Sequence, residues 1–238
     1  MADGAAPGRT QIGLLLFPGL TQLDLTGPHE VFARVPDADV HVVWKHLELV
    51  HADSGLQLLP TVTFIDCPRL DVVCVPGGAG TDAMLSDTEV LDWLRGIAAG
   101  ASFVVSVCAG SLVLGAAGLL RGRTAGCHWA SRHLLVHFGA TPSRDRVVVD
   151  GNVVTGAGVT AGIDVALEVV ASLRDRRTAE AIQLSMEYDP RPPFSAGTPD
   201  TADEQLVAAT LQRMMPRLVE REIQVRCAGE RVRKANAI

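Results

Sequence analysis

Cys108 stands in Val107-Cys108-Ala109-Gly110-Ser111, directly after a β-branched run (residues 103–107) and before a stretch of small and leucine residues. A cysteine between a buried strand and a helix is the thiol form of a nucleophile elbow. There its sulfur meets the first amides and the positive dipole end of the helix, which lowers a thiol pKa. Ala109, Gly110 and Ser111 are small, so the backbone can turn tightly and aim its amides at a substrate. The same position also suits a cysteine that is only a small buried apolar side chain. Asp24 lies between Leu23 and Leu25. Packed there, its carboxyl is poorly solvated, which raises its pKa and suits it to general acid–base work. The competing reading is a helix N-cap. Gly77-Gly78 follow the buried strand predicted at 71–75 and Pro76. Glycines there let N–H groups approach a ligand as an oxyanion hole, or simply make a turn. His128 is a candidate base for Cys108 in a Cys–His pair, against an ordinary place at the start of a helix.

Other chemistries are excluded by spacing. The stretch Gly77-Gly78-Ala79-Gly80-Thr81 matches neither the dinucleotide fingerprint nor a P-loop. No two cysteines are spaced C-x-x-C, and no histidines form H-x-H or H-E-x-x-H, so no metal is expected. Cys67, Cys74, Cys127 and Cys227 are read as structural or incidental. The net charge of −6 argues against a nucleic-acid partner. The N-terminus has no apolar signal region, and unpaired cysteines fit a reducing compartment, so a cytoplasmic protein is expected. Residues 96–120 carry no charge, which is long enough for a membrane span. The β-branched residues and the flanking Gly100 and Gly110 favour strand, turn and helix instead, and no membrane partner is expected.

These residues need a frame. Hydrophobic residues make up 47% of the 238 and aromatics only 4%, so the core must be aliphatic. Buried strands are predicted at 11–17, 40–44, 71–75 and 103–107, a small β excursion at 54–65, and a hairpin at 146–155 around Asp150-Gly151-Asn152. Helices are predicted at 24–33, 87–98, 111–120, 129–138, 160–173, 178–187 and 204–219. Strands alternating with helices imply a mostly parallel sheet covered on both faces, a three-layer α/β/α sandwich. Residues 1–10 are expected to be flexible, 11–188 to form the α/β domain, and 189–238 to be its loop and helical extension. Sites in such folds lie beyond the carboxyl ends of the strands, where 18–24, 76–81 and 106–111 arrive.

The combination resembles the PfpI/ThiJ superfamily, within the class I glutamine amidotransferase-like, flavodoxin-like fold. It is carried by residues 11–32, 71–81, 106–130 and 147–167. Residues 183–202 extend the likeness to the superfamily's isonitrile-hydrating subgroup. The resemblance implies a nucleophile at Cys108 and an acidic partner at Asp24. It implies oxyanion or substrate contacts from Gly77, Gly78, Ala109 and Gly110, with His128 and Val159 as accessory candidates. The implied reaction adds water to a small apolar isonitrile, giving an N-substituted formamide through a cysteine thioimidate, with no cofactor. A homodimer is also implied, with the last helix and the 189–201 loop as candidates to line a neighbour. Subgroup members carry Thr after the nucleophile; here it is Ala109, which keeps the backbone amide and lacks a side-chain donor. The alternatives are a glyoxalase- or deglycase-like cysteine enzyme and a non-enzymatic cysteine-based sensor.

Overall fold

The computed structural model describes residues 8–235. The strands are β1 (Thr10–Leu15), β2 (Ala38–Trp44), β3 (Val50–His51), β4 (Gln57–Leu58), β5 (Val62–Thr63), β6 (Val72–Val75), β7 (Phe103–Ser106), β8 (Thr124–Ala125), β9 (Thr141–Pro142), β10 (Val147–Asp150) and β11 (Val153–Gly156). The helices are α1 (Gln22–Phe32), α2 (Thr81–Met84), α3 (Thr88–Ala98), α4 (Gly110–Ala116), α5 (Ala161–Leu173), α6 (Arg176–Ser185) and α7 (Glu204–Ala235), with a 3-10 helix at Arg132–Phe138. Seven strands form the central sheet in the order β10-β11-β7-β6-β1-β2-β5. All neighbours are parallel except the β10–β11 hairpin, which turns at Gly151 with φ +61°. Helices α1, α5 and α6 pack together on one face, and α2, α3, α4, α7 and the 3-10 helix on the other. This is the expected three-layer α/β/α class.

The core is aliphatic because both faces of the sheet are covered. Ile12, Leu14, Val73, Cys74 and Val105 are fully buried, and Cys74 lies in register between Leu14 and Val105. Side chains set several helix starts. Asp87 accepts from Val90 N–H at 3.2 Å and so precedes α3, and Asp175 accepts from Thr178 N–H at 2.8 Å and opens α6 two residues before the predicted start. Helix α4 stops at Ala116, short of the predicted end, because Gly118 takes a left-handed φ of +81°. No helix among the described residues is long and apolar enough to cross a membrane, and 96–120 is divided among α3, β7 and α4.

Two expectations are corrected. Residues 1–7 lie outside the described residues, but Thr10, counted with the flexible N-terminus, already pairs with Ala38 in β1. The last helix does not end near Val219; α7 runs to Ala235 through Pro216. Its second half buries Arg221, Val225, Ala228 and Gly229. A Cβ on Gly229 would meet the His137 carbonyl at 2.5 Å, so glycine lets α7 seat closely on the 3-10 helix.

Candidate active site

Strand β1 has β2 on one side and β6 on the other, so successive connections leave in opposite directions there. Such a switch point opens a crevice at the carboxyl ends of the strands. Asp24 arrives after β1, Gly77 and Gly78 after β6, and Cys108 after β7.

Cys108 has φ +57°, a conformation that costs a non-glycine residue about 1–2 kcal/mol. Four backbone hydrogen bonds hold the elbow. Val107 N–H donates to Val75 O at 3.0 Å and Cys108 N–H to Gly156 O at 3.2 Å. Gly110 N–H donates to Val107 O at 2.9 Å, and the Cys108 carbonyl accepts from His128 N–H at 3.3 Å. A Cβ on Gly110 would sit 2.2 Å from Val75 O, so the turn needs glycine there.

Asp24 is fully buried in the first turn of α1. It is not the N-cap, which is Thr21, and its side chain turns instead toward the site. Oδ2 accepts from Gly77 N–H at 2.9 Å, while Oδ1 has no hydrogen-bond partner. Burial raises its pKa to about 7, against smaller lowering by the Gly77 amide and the neighbouring Cys108 thiol. The Cys108 thiol is pushed well above the ordinary range, first by burial and then by the Asp24 charge; the Ala109 amide and Arg221 pull the other way. The expected lowering by the helix start is thus outweighed. Helix α4 has only seven residues, and the sulfur is almost without water. At rest the sulfur keeps its proton, and Asp24 is the group that titrates near neutrality.

The four expected backbone donors divide into two pairs. The Gly77 and Gly110 N–H groups donate to Asp24 and to the Val107 carbonyl. Gly78 and Ala109 line the cavity over Cys108. Gly78 N–H has no partner among the described residues, and Ala109 N–H faces the Cys108 sulfur. Gly77 instead lets the chain pack, since a Cβ there would lie 2.5 Å from Ala109 N and 3.0 Å from Asp24 Oδ2.

His128 lines the same cavity. Its Nδ1 accepts from Ala130 N–H at 3.3 Å, which leaves the proton on Nε2. Burial, then Arg221 and Arg217, lower its pKa to about 4. It is therefore a neutral donor and a poor base for Cys108. Val159 also lines the cavity.

Sequence reasoning missed Thr21, Asp53, Arg217 and Arg221, which complete the cavity of about 150 Å³. Thr21 Oγ1 donates to Asp53 at 2.6 Å. Arg221, 2% exposed, reaches from α7 to Asp82, to Ser131 Oγ at 3.2 Å and to the Gly78 carbonyl at 2.9 Å. Its signal in the sequence was an arginine set among Leu218, Val225, Ala228 and Val232 at helical spacing, a place otherwise apolar. Thr21, Asp53, His128, Arg217 and Arg221 give the cavity a polar lining.

Residues 10–172 match the model of the DJ-1/PfpI family. The chain belongs to the DJ-1/PfpI family. Among family members, the isonitrile hydratase of Pseudomonas putida is 54% identical over 221 residues, covering 92% of this chain and 97% of that protein. A crystal structure of a ThiJ/PfpI family protein from Pseudomonas syringae superposes with a TM-score of 0.89 at 44% identity, covering 94% of this chain and 97% of that one. The DJ-1beta structure from Drosophila melanogaster shares the fold, with a TM-score of 0.69 at 24% identity over 75% of this chain and 98% of its own. The DJ-1/PfpI match ends at residue 172, so Arg217 and Arg221 reach the site from beyond it.

Proposed function

We propose that this chain is an isonitrile hydratase, a lyase in which Cys108 is the nucleophile and Asp24 moves the proton. The observation that carries the mechanism is the buried Asp24 carboxyl, with a pKa of about 7, beside the elbow thiol. The 54% identity to the Pseudomonas putida enzyme supports the reaction class.

Above neutrality the pair holds one proton, on sulfur. As Cys108 attacks the isonitrile carbon, Asp24 takes the thiol proton and delivers it to that carbon, giving the thioimidate R–N=CH–S–Cys108. Asp24, again a carboxylate, removes a proton from water as the hydroxide adds to the same carbon. That proton passes to nitrogen. The C–S bond then breaks, the hydroxyl proton returns to the pair, and R–NH–CHO leaves. Each cycle adds one water to R–NC and restores Cys108. Gly78 and Ala109 amides face the cavity where negative charge develops, and each such donor contributes about 3–4 kcal/mol to a transition state. His128 Nε2–H supplies a third donor at the wall.

In the same proposal residues 189–235 extend the α/β domain, and the protein acts as a cytoplasmic homodimer. Leu47, Leu49, Leu56 and Leu59 are exposed on and beside the β3–β4 hairpin and offer an apolar face for a second copy. Light scattering after size exclusion reads that state directly.

Intact-mass analysis during turnover of a simple isonitrile tests the chemistry. The expected result is formamide release and a transient adduct of substrate mass on Cys108. Turnover by Cys108→Ala, or an adduct on another cysteine, would overturn it.

A further inference from the structure

The cavity over Cys108 adjoins a larger chamber of about 530 Å³, and the two share His128 and Val159 in their walls. Guanidinium groups crowd this chamber. Arg144 is held by Asp200 at 2.9 Å and Arg146 by Asp164 at 2.7 Å, so those two charges are matched. Arg132 on the chamber wall and Arg217 on the cavity wall differ. Neither side chain has an ion-pair or hydrogen-bond partner among the described residues. Of the acidic groups at the cavity itself, Asp53 accepts from Thr21 and Asp24 lies beneath the elbow. Arg221 and then Arg217 add to burial in keeping His128 neutral. The two walls carry Arg132, Arg144, Arg146, Arg217 and Arg221 against Asp53 and Asp200, and an excess of cations along a cleft attracts and orients an anion.

We propose that the junction of cavity and chamber receives an anionic group, and that the isonitriles this chain prefers carry a carboxylate within reach of Arg132 and Arg217. The inference rests on the hydratase reading and sharpens it. The N≡C end sits over Cys108 in the small cavity, and the charged end lies where that cavity meets the chamber at His128 and Val159, with Arg217 on one wall and Arg132 on the other. Arg132 and Arg217 are specificity residues, and they take no part in bond making.

Isocyanoacetate and its methyl ester differ in charge and little in shape at the reacting end. The expected ratio of kcat/KM, carboxylate over ester, is about tenfold or more, as for a charge-assisted contact in a partly enclosed site. The ratio falls toward one in the Arg132→Met/Arg217→Met double variant and in high salt, and lysine at both positions restores part of it. A ratio at or below one in the unaltered protein, or one that the double variant leaves unmoved, overturns the proposal. If neither compound is hydrated, the hydratase reading fails. Calorimetry with N-formylglycine then decides the chamber: saturable binding lost in the double variant supports it, and no binding overturns it.

Discussion

The Gly77 N–H donates to Oδ2 of Asp24 at 2.9 Å, and the Cys108 thiol lies beside the same buried carboxyl. One amide is too little to offset full desolvation, so the carboxyl stays near its titration point at neutral pH. The same bond occupies the Gly77 N–H, while Gly78 and Ala109 line the cavity over Cys108.

The first prediction concerns rate. If Asp24 must be a carboxylate to take the thiol proton, kcat/KM rises with pH through an apparent pKa near 7 and then levels. Asp24→Asn should lower kcat by about 10²–10⁴ and lose that limb of the profile. A profile measured from pH 5 to 9 on both proteins checks this. A variant retaining the limb would assign it to another group.

Stability gives a second, opposite pair of slopes. The folded pKa of Asp24 is raised from 3.8 to about 7, so its contribution is full below 3.8 and is lost as pH rises to about 7. The integrated loss is on the order of 4 kcal/mol. The folded pKa of His128 is depressed from 6.5 to about 4, so its contribution is full above 6.5 and is lost as pH falls to about 4. The two nearly cancel in the intact protein. Urea unfolding from pH 4 to 8 should show Asp24→Asn gaining stability with pH and His128→Gln losing it, relative to the parent.

Backbone strain at Cys108 yields a third expectation. Both Cys108→Ala and Cys108→Gly should stop formamide production. Glycine accepts φ +57° freely and alanine does not, so Cys108→Gly should be about 1 kcal/mol more stable than Cys108→Ala by denaturant unfolding. Equal stability would mean that the elbow relaxes once the thiol is gone.

Arg221 makes its three contacts through three different nitrogens. Arg221→Met should cost about 3 kcal/mol in unfolding free energy, because it strands Asp82 and the Gly78 carbonyl. Arg221→Lys should recover little, since one ammonium cannot span the three acceptors. The urea midpoints of both variants, with kcat/KM alongside, test this.

The legible parts of the molecule are those set by local pattern. Short β-branched runs such as 72–75, closed by Pro76 and Gly77, favour strands buried on both faces, and this one appears as such in β6. Cys108 was legible because strand, cysteine and small residues are contiguous, and Asp24 because leucines flank it. The rest depends on contacts across the chain. That the Gly77 N–H is spent on a carboxylate follows from where Asp24 sits, 53 residues earlier. The end of α7 was hidden by Pro216, which lacks the N–H a helix interior uses; packing on the 3-10 helix through Val225, Ala228 and Gly229 outweighs that loss. The pocket's polarity was hidden for the same reason, since Arg217 and Arg221 come from a helix whose partner surface no local pattern reveals.

The place of Arg221 also sets an order of events in synthesis. Every strand of the sheet, the elbow and Asp24 precede residue 157, whereas the guanidinium that ties Gly78 and Asp82 together emerges from the ribosome much later. A growing chain therefore carries its thiol and its carboxyl before it carries the roof that shapes the space above them. The connection between α6 and α7, residues 186–203, is where an insertion could change the walls of the site without disturbing a single strand.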